Sequence, residues 1–169
     1  MTSKTRAVLS LGSNLGDREL TIREAVADIA ALQGVTVDAA SGLVQTAALK
    51  TSGIDEFAPP YLNAVLRVTT SLSAPDLLAS VAAIELSHGR VREERWGDRT
   101  LDIDIVTYGD LRQDDVRLTL PHPRAAERSF VLVPWLEIEP DAVLPGIGRV
   151  DGLSAASESV SRYPAEALS

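Results

Sequence analysis

The sequence contains no cysteine, and this absence removes several classes of chemistry at once. Disulfides, thiolate nucleophiles, cysteine-bound zinc and iron–sulfur clusters are excluded, and the absence fits a reducing cytoplasm. Only two histidines are present, His88 and His122, so the chain also lacks the H-E-x-x-H motif of metalloproteases.

Long apolar segments are absent as well. The longest apolar run, Phe130–Leu136, has seven residues and includes a proline, whereas a membrane helix needs about 18. The N-terminus turns polar after a few apolar residues and has no signal-peptide core. We therefore expect a soluble, cytoplasmic protein that makes no membrane contact.

Positive charge is scarce and consists almost entirely of arginine. The 169 residues include 16 basic and 24 acidic side chains, a net charge of −8, and only Lys4 and Lys50 are lysines. A general nucleic-acid binder needs a basic face, so that class is excluded. The length predicts one domain covering residues 1–169, and without a large exposed apolar stripe we expect a monomer.

Aromatic residues make up only 4% of the chain, so the core must be aliphatic. Apolar periodicity and turn residues divide the sequence into helices, strands and loops. The first half is predicted to contain a strand Arg6–Leu11, a helix Arg18–Gln33, β-prone residues Val35–Thr46 with a break near Ser41-Gly42, a loop Lys50–Pro60 and a strand Tyr61–Thr70. A helix capped by Ser73 and ending near His88 follows, then a charged loop Gly89–Arg99, a strand Leu101–Tyr108 and a mostly loop segment 109–125. The last part is predicted to be a helical segment Ala126–Ile138 interrupted by Pro134, and a tail from Asp141 that forms a short strand or hairpin and a loosely held end.

This β-α-β-β-α-β order is that of a ferredoxin-like α+β sandwich with an antiparallel sheet, followed by a C-terminal helical and hairpin extension. In such a fold the helices cover one face of the sheet, and we expect the other face to be free for ligands.

Two carboxylates on one predicted strand are the first candidate for chemistry. Asp102 and Asp104 are two residues apart, so they share a face about 7 Å apart along the strand. Paired carboxylates repel each other unless a cation lies between them, and Mg²⁺ is commonly held by one or two carboxylates together with substrate phosphates. The simpler alternative is an ordinary strand with one solvent-exposed face.

An arginine-rich loop precedes this strand. Arg90, Arg92, Arg95 and Arg99 lie within ten residues, and guanidinium groups bind phosphate through paired donors and stay charged. Together with Mg²⁺ carboxylates, such a loop suits phosphoryl transfer. A surface loop paired with its own glutamates is the alternative.

Polar and aromatic residues elsewhere favour recognition of a heterocyclic ring. Tyr61 and Asn63 share the polar face of their strand, where an amide can read a ring edge and an aromatic side chain can stack on it. Phe130 follows Arg128 closely and is compatible with an ordinary place in the core. His122 is the more plausible phosphate contact of the two histidines, and His88 is expected to be structural at a helix C-terminus.

Together these segments resemble the 6-hydroxymethyl-7,8-dihydropterin pyrophosphokinase family of folate biosynthesis. The resemblance covers about residues 6–140, and the segment leading into D-I-D-I is its most specific part. The motifs are Leu11-Gly-Ser-Asn-Leu-Gly-Asp17, Pro59-Pro-Tyr-Leu-Asn63, Ile84-Glu85, Gly89-Arg-Val-Arg92, Arg95-Trp-Gly-Asp-Arg-Thr-Leu-Asp-Ile-Asp-Ile105, Leu120-Pro-His-Pro-Arg124 and Arg128-Ser-Phe-Val-Leu-Val-Pro134.

The resemblance implies transfer of pyrophosphate from ATP to the hydroxymethyl group of the dihydropterin, with release of AMP. It implies that Asp102 and Asp104 hold two Mg²⁺ ions and that Arg90 and Arg99 are catalytic phosphate ligands. The implied ATP contacts are Glu85, Arg90, Arg92, Ile105, Thr119, His122 and Arg128. The implied pterin contacts are Thr46, Tyr61, Asn63, Trp96 and Phe130.

Two other functions remain compatible with the residues themselves. A two-carboxylate nucleotidyltransferase also uses D-x-D on a strand, but it would release pyrophosphate and would not need Asn63 beside aromatic residues. A non-catalytic ferredoxin-like ligand-binding module would use the charges as salt bridges and would show no turnover dependent on ATP and Mg²⁺.

Overall fold

The alternating segments of the sequence form one central antiparallel sheet in the structure, a computed structural model that describes residues 3–14, 16–46, 49–50, 53–54, 60–89, 100–164 and 168. In chain order the elements are β1 (Thr5–Ser13), α1 (Arg18–Ala30), β2 (Val35–Ala40), β3 (Val44–Thr46), β4 (Leu49–Lys50), β5 (Gly53–Ile54), β6 (Tyr61–Thr70), α2 (Ala74–Ser87), β7 (Asp102–Tyr108), β8 (Gln113–Asp114), β9 (Thr119–Leu120), α3 (Ser129–Ile138), β10 (Val143–Leu144), β11 (Gly148–Arg149) and β12 (Ser161–Arg162).

The strand order confirms the ferredoxin-like sandwich. In the central sheet the order is β12-β3-β6-β1-β7, and β2 pairs with the other half of β6. All of these pairings are antiparallel. Strand β6 therefore lies between β1 and β2, as the β-α-β-β-α-β order requires.

Local signals place the first two helices close to their predicted bounds. Asp17 caps α1 by accepting a hydrogen bond from the backbone N–H of Leu20 at 3.1 Å. Ser73 caps α2 in the same way through Asp76 at 3.2 Å. The first helix ends at Ala30, three residues before the predicted end. The chain then turns at Gly34, whose φ of +84° favours glycine.

The first face of the sheet packs against α1 and α2. Inward side chains of β1, β6 and β7 alternate as predicted and are fully or almost fully buried. They are Ala7, Leu9, Leu11, Leu62, Ala64, Leu66, Val68, Ile103 and Ile105. This aliphatic layer is the larger of the two cores, and Tyr108 of β7 packs against it.

The expectation that the second face is free is wrong for half of its length. Val8, Val65 and Val106 lie on that face and pack into a second core with Leu132 and Trp135 of α3. The cause is the apolar sequence of α3, which must bury its side chains against another apolar surface. The other half of this face, here called the polar half-face, carries Ser10, Asn63, Asp102 and Asp104.

The tail forms the predicted hairpin, β10–β11. Beyond the hairpin, Val150 and Ala155 are buried in the second core, so this part of the tail is not loosely held. The tail then adds strand β12 to the edge of the sheet beside β3. The last residues, 165–167 and 169, lie outside the described residues. No helix within the described ranges is long and apolar enough to cross a membrane.

Candidate active site

A row of residues across three strands forms the centre of the polar half-face. Gly12 of β1 pairs with Asn63 of β6 on one side and with Asp102 of β7 on the other. Directly paired residues of antiparallel strands project to the same side of a sheet. The next row places Ser10 opposite Asp104, so both carboxylates project from the face that carries Asn63.

The glycine in this row makes room for the amide of Asn63. A Cβ atom at position 12 would lie 3.0 Å from Asn63 Oδ1 and 3.5 Å from Tyr61 Cδ1. The Asn63 amide therefore leans over the backbone of β1, toward the strand that separates it from Asp102. Asn63 is 4% exposed, and its Nδ2 donates a hydrogen bond to Thr46 Oγ1 at 3.0 Å.

Two basic residues approach Asp104 from the segment before α3. His122 Nε2 lies 3.9 Å and Arg128 Nη1 lies 3.8 Å from Asp104 Oδ2. Both separations exceed hydrogen-bond length, and the Asp104 side chain is 44% exposed. Neither of these two side chains therefore forms a direct hydrogen bond with Asp104.

The position of His122 is fixed by its backbone and its ring. Its N–H donates to the carbonyl of Val106 at 2.9 Å, and its Nδ1 accepts from the N–H of Arg124 at 3.2 Å. With Nδ1 as the acceptor, the proton of the neutral ring is on Nε2, the nitrogen that faces Asp104. His122 is thus set to donate toward an anion at the Asp104 end of the site.

Burial is the largest influence on the pKa of both basic side chains. It lowers the pKa of His122; Asp104 opposes this shift, while Arg128 and Arg124 add to it. Burial also lowers the pKa of Arg128, and Asp104 again opposes. A guanidinium stays charged at neutral pH nonetheless, so Arg128 supplies permanent positive charge beside Asp104.

Arg128 also connects the charged and aromatic parts of the site. Its guanidinium carbon lies 5.5 Å from the ring centre of Phe130, within the range of a cation–π contact. Phe130 is partly buried against the second core. Arg128, a predicted phosphate contact, and Phe130, a predicted ring contact, therefore lie next to each other.

Three predicted ATP contacts have local roles in the fold. Glu85 is buried, and its Oε2 accepts from the N–H of Ile103 at 2.7 Å, between the two aspartates. The Ile105 side chain lies in the helix-side core, on the opposite face from Asp104. Thr119 Oγ1 donates to the carbonyl of Asp115 at 3.2 Å within the hairpin region of β8 and β9.

The structure brings together only part of the predicted site. Thr46, Tyr61, Asn63, Asp102, Asp104, His122, Arg128 and Phe130 lie on or beside the polar half-face. The predicted residues Arg90, Arg92, Trp96 and Arg99 lie outside the described residues. His88 is structural, as expected: its Nε2 lies 2.9 Å from Asp28 Oδ2 and ties α2 to α1.

Sequence reasoning missed Gly12, Ser10 and Arg124 as parts of this site. The alternation of β1 already places positions 10 and 12 on one face, opposite Leu9 and Leu11. Their proximity to Asp102 and Asp104 depends on the register between distant strands, for which one sequence gives no signal.

Comparison with known proteins gives concordant results. The family model for 7,8-dihydro-6-hydroxymethylpterin-pyrophosphokinase (HPPK) matches residues 8–140. The protein named 2-amino-4-hydroxy-6-hydroxymethyldihydropteridine pyrophosphokinase in Methylorubrum extorquens is 44% identical over 142 residues, which are 84% of this chain and 87% of that protein. The protein of that name in Pseudomonas aeruginosa is 37% identical over 161 residues, 94% of this chain and 97% of that protein. The protein of that name in Synechocystis is 41% identical over 146 residues, 85% of this chain and 71% of that protein.

Solved structures share the fold at low sequence identity. The crystal structure of Plasmodium falciparum HPPK-DHPS A437G with pteroate superposes with a TM-score of 0.66 at 12% identity over 89% of this chain. Another HPPK-DHPS structure, in complex with substrates, gives a TM-score of 0.68 at 11% identity, also over 89% of this chain. This chain spans less than half of those longer proteins, 42% and 43% respectively.

Proposed function

The chain belongs to the 7,8-dihydro-6-hydroxymethylpterin-pyrophosphokinase family of folate biosynthesis, and we propose that it carries out the family's transfer at the polar half-face of its sheet. In this reaction the hydroxymethyl oxygen of the dihydropterin bonds to the β-phosphorus of ATP. The bond from that phosphorus to the oxygen of the α-phosphate breaks, AMP leaves with that oxygen, and the hydroxyl proton is released.

The observation that carries this assignment is the row formed by Asn63, Gly12 and Asp102. Adjacent strands lie about 4.8 Å apart, so the backbones of Asn63 and Asp102 are separated by about 10 Å with only a glycine between them. A flat ring held at Asn63 and a phosphate chain held at Asp102 can therefore lie next to each other, which brings the hydroxymethyl oxygen close to the phosphates.

At the pterin end, Asn63 keeps part of its bonding capacity for the substrate. One N–H of its amide is directed to Thr46, and the other N–H and the carbonyl oxygen suit the donor and acceptor groups of a pterin edge. Tyr61 and Phe130 supply aromatic surfaces on which the ring can stack. Burial of Asn63 excludes water that would compete for these hydrogen bonds.

At the nucleotide end, Arg128 and His122 supply hydrogen-bond donors, and Arg128 also supplies positive charge. Arg128 presents a fixed charge and forked donors that suit phosphate oxygens. The Nε2 proton of His122 adds a donor directed to the same region. Glu85 fixes the strand between the aspartates through the N–H of Ile103, and we assign it to positioning.

The carboxylates of Asp102 and Asp104 suit Mg²⁺, and the family resemblance implies two such ions bound with the triphosphate. The donor set fits because both are hard oxygen ligands on one face and Asp104 is open to solvent. Within the described residues no group of three or more metal-ligating side chains occurs, so substrate phosphates and water would complete the coordination. When bound, Mg²⁺ neutralises charge on the phosphates and orients them.

Identification of the products tests the proposal. The chain is mixed with ATP, Mg²⁺ and 6-hydroxymethyl-7,8-dihydropterin, and the nucleotide products are separated by chromatography. We expect AMP to form only when the pterin is present. ADP would contradict pyrophosphoryl transfer, free pyrophosphate would indicate a nucleotidyltransferase, and the absence of any turnover would indicate a binding module.

A further inference from the structure

We propose that the end of the chain sets the affinity of the site for the pterin. Residues Ser161–Tyr163, here called the C-terminal strap, form the edge of the sheet beside β3. The strap lies C-terminal to the span matched by the family model. It holds β3 in place, and β3 carries Thr46, the hydrogen-bond partner of Asn63. The inference rests on the proposed pterin role of Asn63.

The central fact is the shortness of β3. It has three residues, Val44–Thr46, and pairs with β6 on one side. On its other side the strap supplies the pairs Ser161↔Gln45 and Arg162↔Val44, and the N–H of Tyr163 donates to the carbonyl of Leu43 at 3.0 Å. A three-residue edge strand is weakly fixed by one neighbour alone, so the strap makes it an interior strand.

On the helix face, the strap is fastened by Tyr163 and Arg18. The ring of Tyr163 packs against the larger core, and the guanidinium carbon of Arg18 lies 5.9 Å from its centre. Arg18 Nη1 also donates to the carbonyl of Pro60 at 2.7 Å and reaches Gln45 Oε1 at 3.4 Å. One side chain thus links the strap, β3 and the residue that precedes Tyr61.

On the opposite face, the strap is fastened to α3. Arg162 forms an ion pair with Glu137, whose other carboxylate oxygen accepts from the N–H of Gly42 at 3.0 Å. Gly42 lies in the break between β2 and β3. The strap therefore pairs with the edge of β3 and is held on both faces of the sheet. The two contacts that hold it, Tyr163 with Arg18 and Arg162 with Glu137, do not depend on each other.

The position of β3 determines the hydrogen bond between Thr46 and Asn63. Thr46 is paired with Tyr61, and its Oγ1 accepts from the Asn63 amide. If β3 moves, the Asn63 amide loses the partner that orients it, while Asp102 and Asp104 on the far side of β1 keep their places. The strap residues are positioning residues that act on pterin binding and not on the nucleotide.

The test compares Tyr163→Ala with Tyr163→Phe, which keeps the ring, and with Arg149→Ala as a matched control. Arg149 lies on β11 and not on β3 or a strand paired with it, is exposed, and forms an ion pair with Asp151. Pterin Kd is measured by calorimetry with Mg²⁺ and a non-hydrolysable ATP analogue, beside KM for each substrate and kcat. Folding is checked by circular dichroism.

We expect Tyr163→Ala to raise the pterin Kd and KM about fivefold, the change that loss of one ordinary hydrogen bond produces. The KM for ATP and kcat should stay within about twofold of wild type. Tyr163→Phe and Arg149→Ala should match wild type. Hydrogen exchange should accelerate at residues 43–46 in Tyr163→Ala alone.

An unchanged pterin Kd in folded Tyr163→Ala would overturn the proposal, as would an equal loss of affinity for ATP. If Tyr163→Ala does not fold, Arg162→Ala breaks the α3 fastening with less loss of packing and must show the same selective effect. A wild-type chain that releases no AMP would contradict the proposed function, whereas the binding series would still decide whether the strap controls pterin affinity.

Discussion

Asn63 and Gly12 are cross-strand partners, and the amide oxygen of Asn63 occupies space that a side chain at position 12 would need. The added Cβ would approach that oxygen to 3.0 Å, so the amide would have to shift by a few tenths of an ångström. Glycine at this position is favoured by the close approach of a neighbouring side chain and not by a positive φ.

Gly12→Ala should therefore impair the pterin end of the site selectively. We expect the pterin KM to rise about fivefold, the effect of misplacing one hydrogen-bonding group, with little change in the KM for ATP. Steady-state kinetics with each substrate varied in turn measures this. Gly152→Ala is the control because a Cβ there meets nothing within 4 Å; equal behaviour of the two variants would refute the role of Gly12.

Asp102→Asn and Asp104→Asn should each reduce kcat at least about 100-fold, since a neutral amide cannot replace a metal-holding carboxylate. The melting temperature should change little, because neither side chain is fully buried and the sheet is held by its two apolar cores. Asp114→Asn, at an exposed position of β8, should retain full activity. Full activity in either site variant would exclude the metal role.

Removal of divalent cations by EDTA should stop turnover and leave the far-ultraviolet circular dichroism spectrum unchanged. The sheet is held by two apolar cores and not by a metal. Added Mg²⁺ should restore activity, whereas Ca²⁺, with its longer bonds and looser geometry, should restore much less. Turnover that persists in EDTA would contradict the assignment of Asp102 and Asp104.

Glu85→Ala should destabilise the fold by about 1–3 kcal/mol, because it leaves the buried N–H of Ile103 without its acceptor. Glu85→Gln retains an oxygen at the same place and should lose less. Urea denaturation measures both. A Glu85→Ala variant of unchanged stability would show that this hydrogen bond is not important for folding.

Trp135→Ala should cost about 3–5 kcal/mol of stability by opening a cavity in the second core. The folded fraction should keep its KM values, because Trp135 lies in the second core with Val8, Val65 and Val106, on the apolar half of this sheet face. Leu86→Ala, 70% exposed in wild type, should change stability by less than about 0.5 kcal/mol. A KM shift in Trp135→Ala would show that the two half-faces are coupled.

Much of the fold could be predicted because its signals are local. The alternation of Tyr61–Thr70 predicted β6 with its bounds, and Ser73 with Asp76 marked the start of α2. The same alternation placed Asn63, Asp102 and Asp104 on polar faces. The alternation could not predict the register of β1 with β6 and β7, which places Asn63 and Asp102 on either side of Gly12.

The missed features depend on contacts between distant parts of the chain. Strand β12 pairs residues 161–162 with 44–45, and two residues are too few to show a β-pattern. Cover of the second face by α3 was missed because Pro134 suggested an interruption, although the helix continues through it to Ile138. Tertiary packing decided both outcomes.

Strand β7 passes from the carboxylates of the site into the second core within two residues. Asp104 is open to solvent, whereas Val106, on the same face, is 1% exposed under α3. A proposed metal ligand so close to the packed core should not be lost by fraying of a loop or terminus. On heating, Asp104 should leave its place only when the whole sheet comes apart, so the heat-inactivation curve of this part of the site should coincide with the global melting curve.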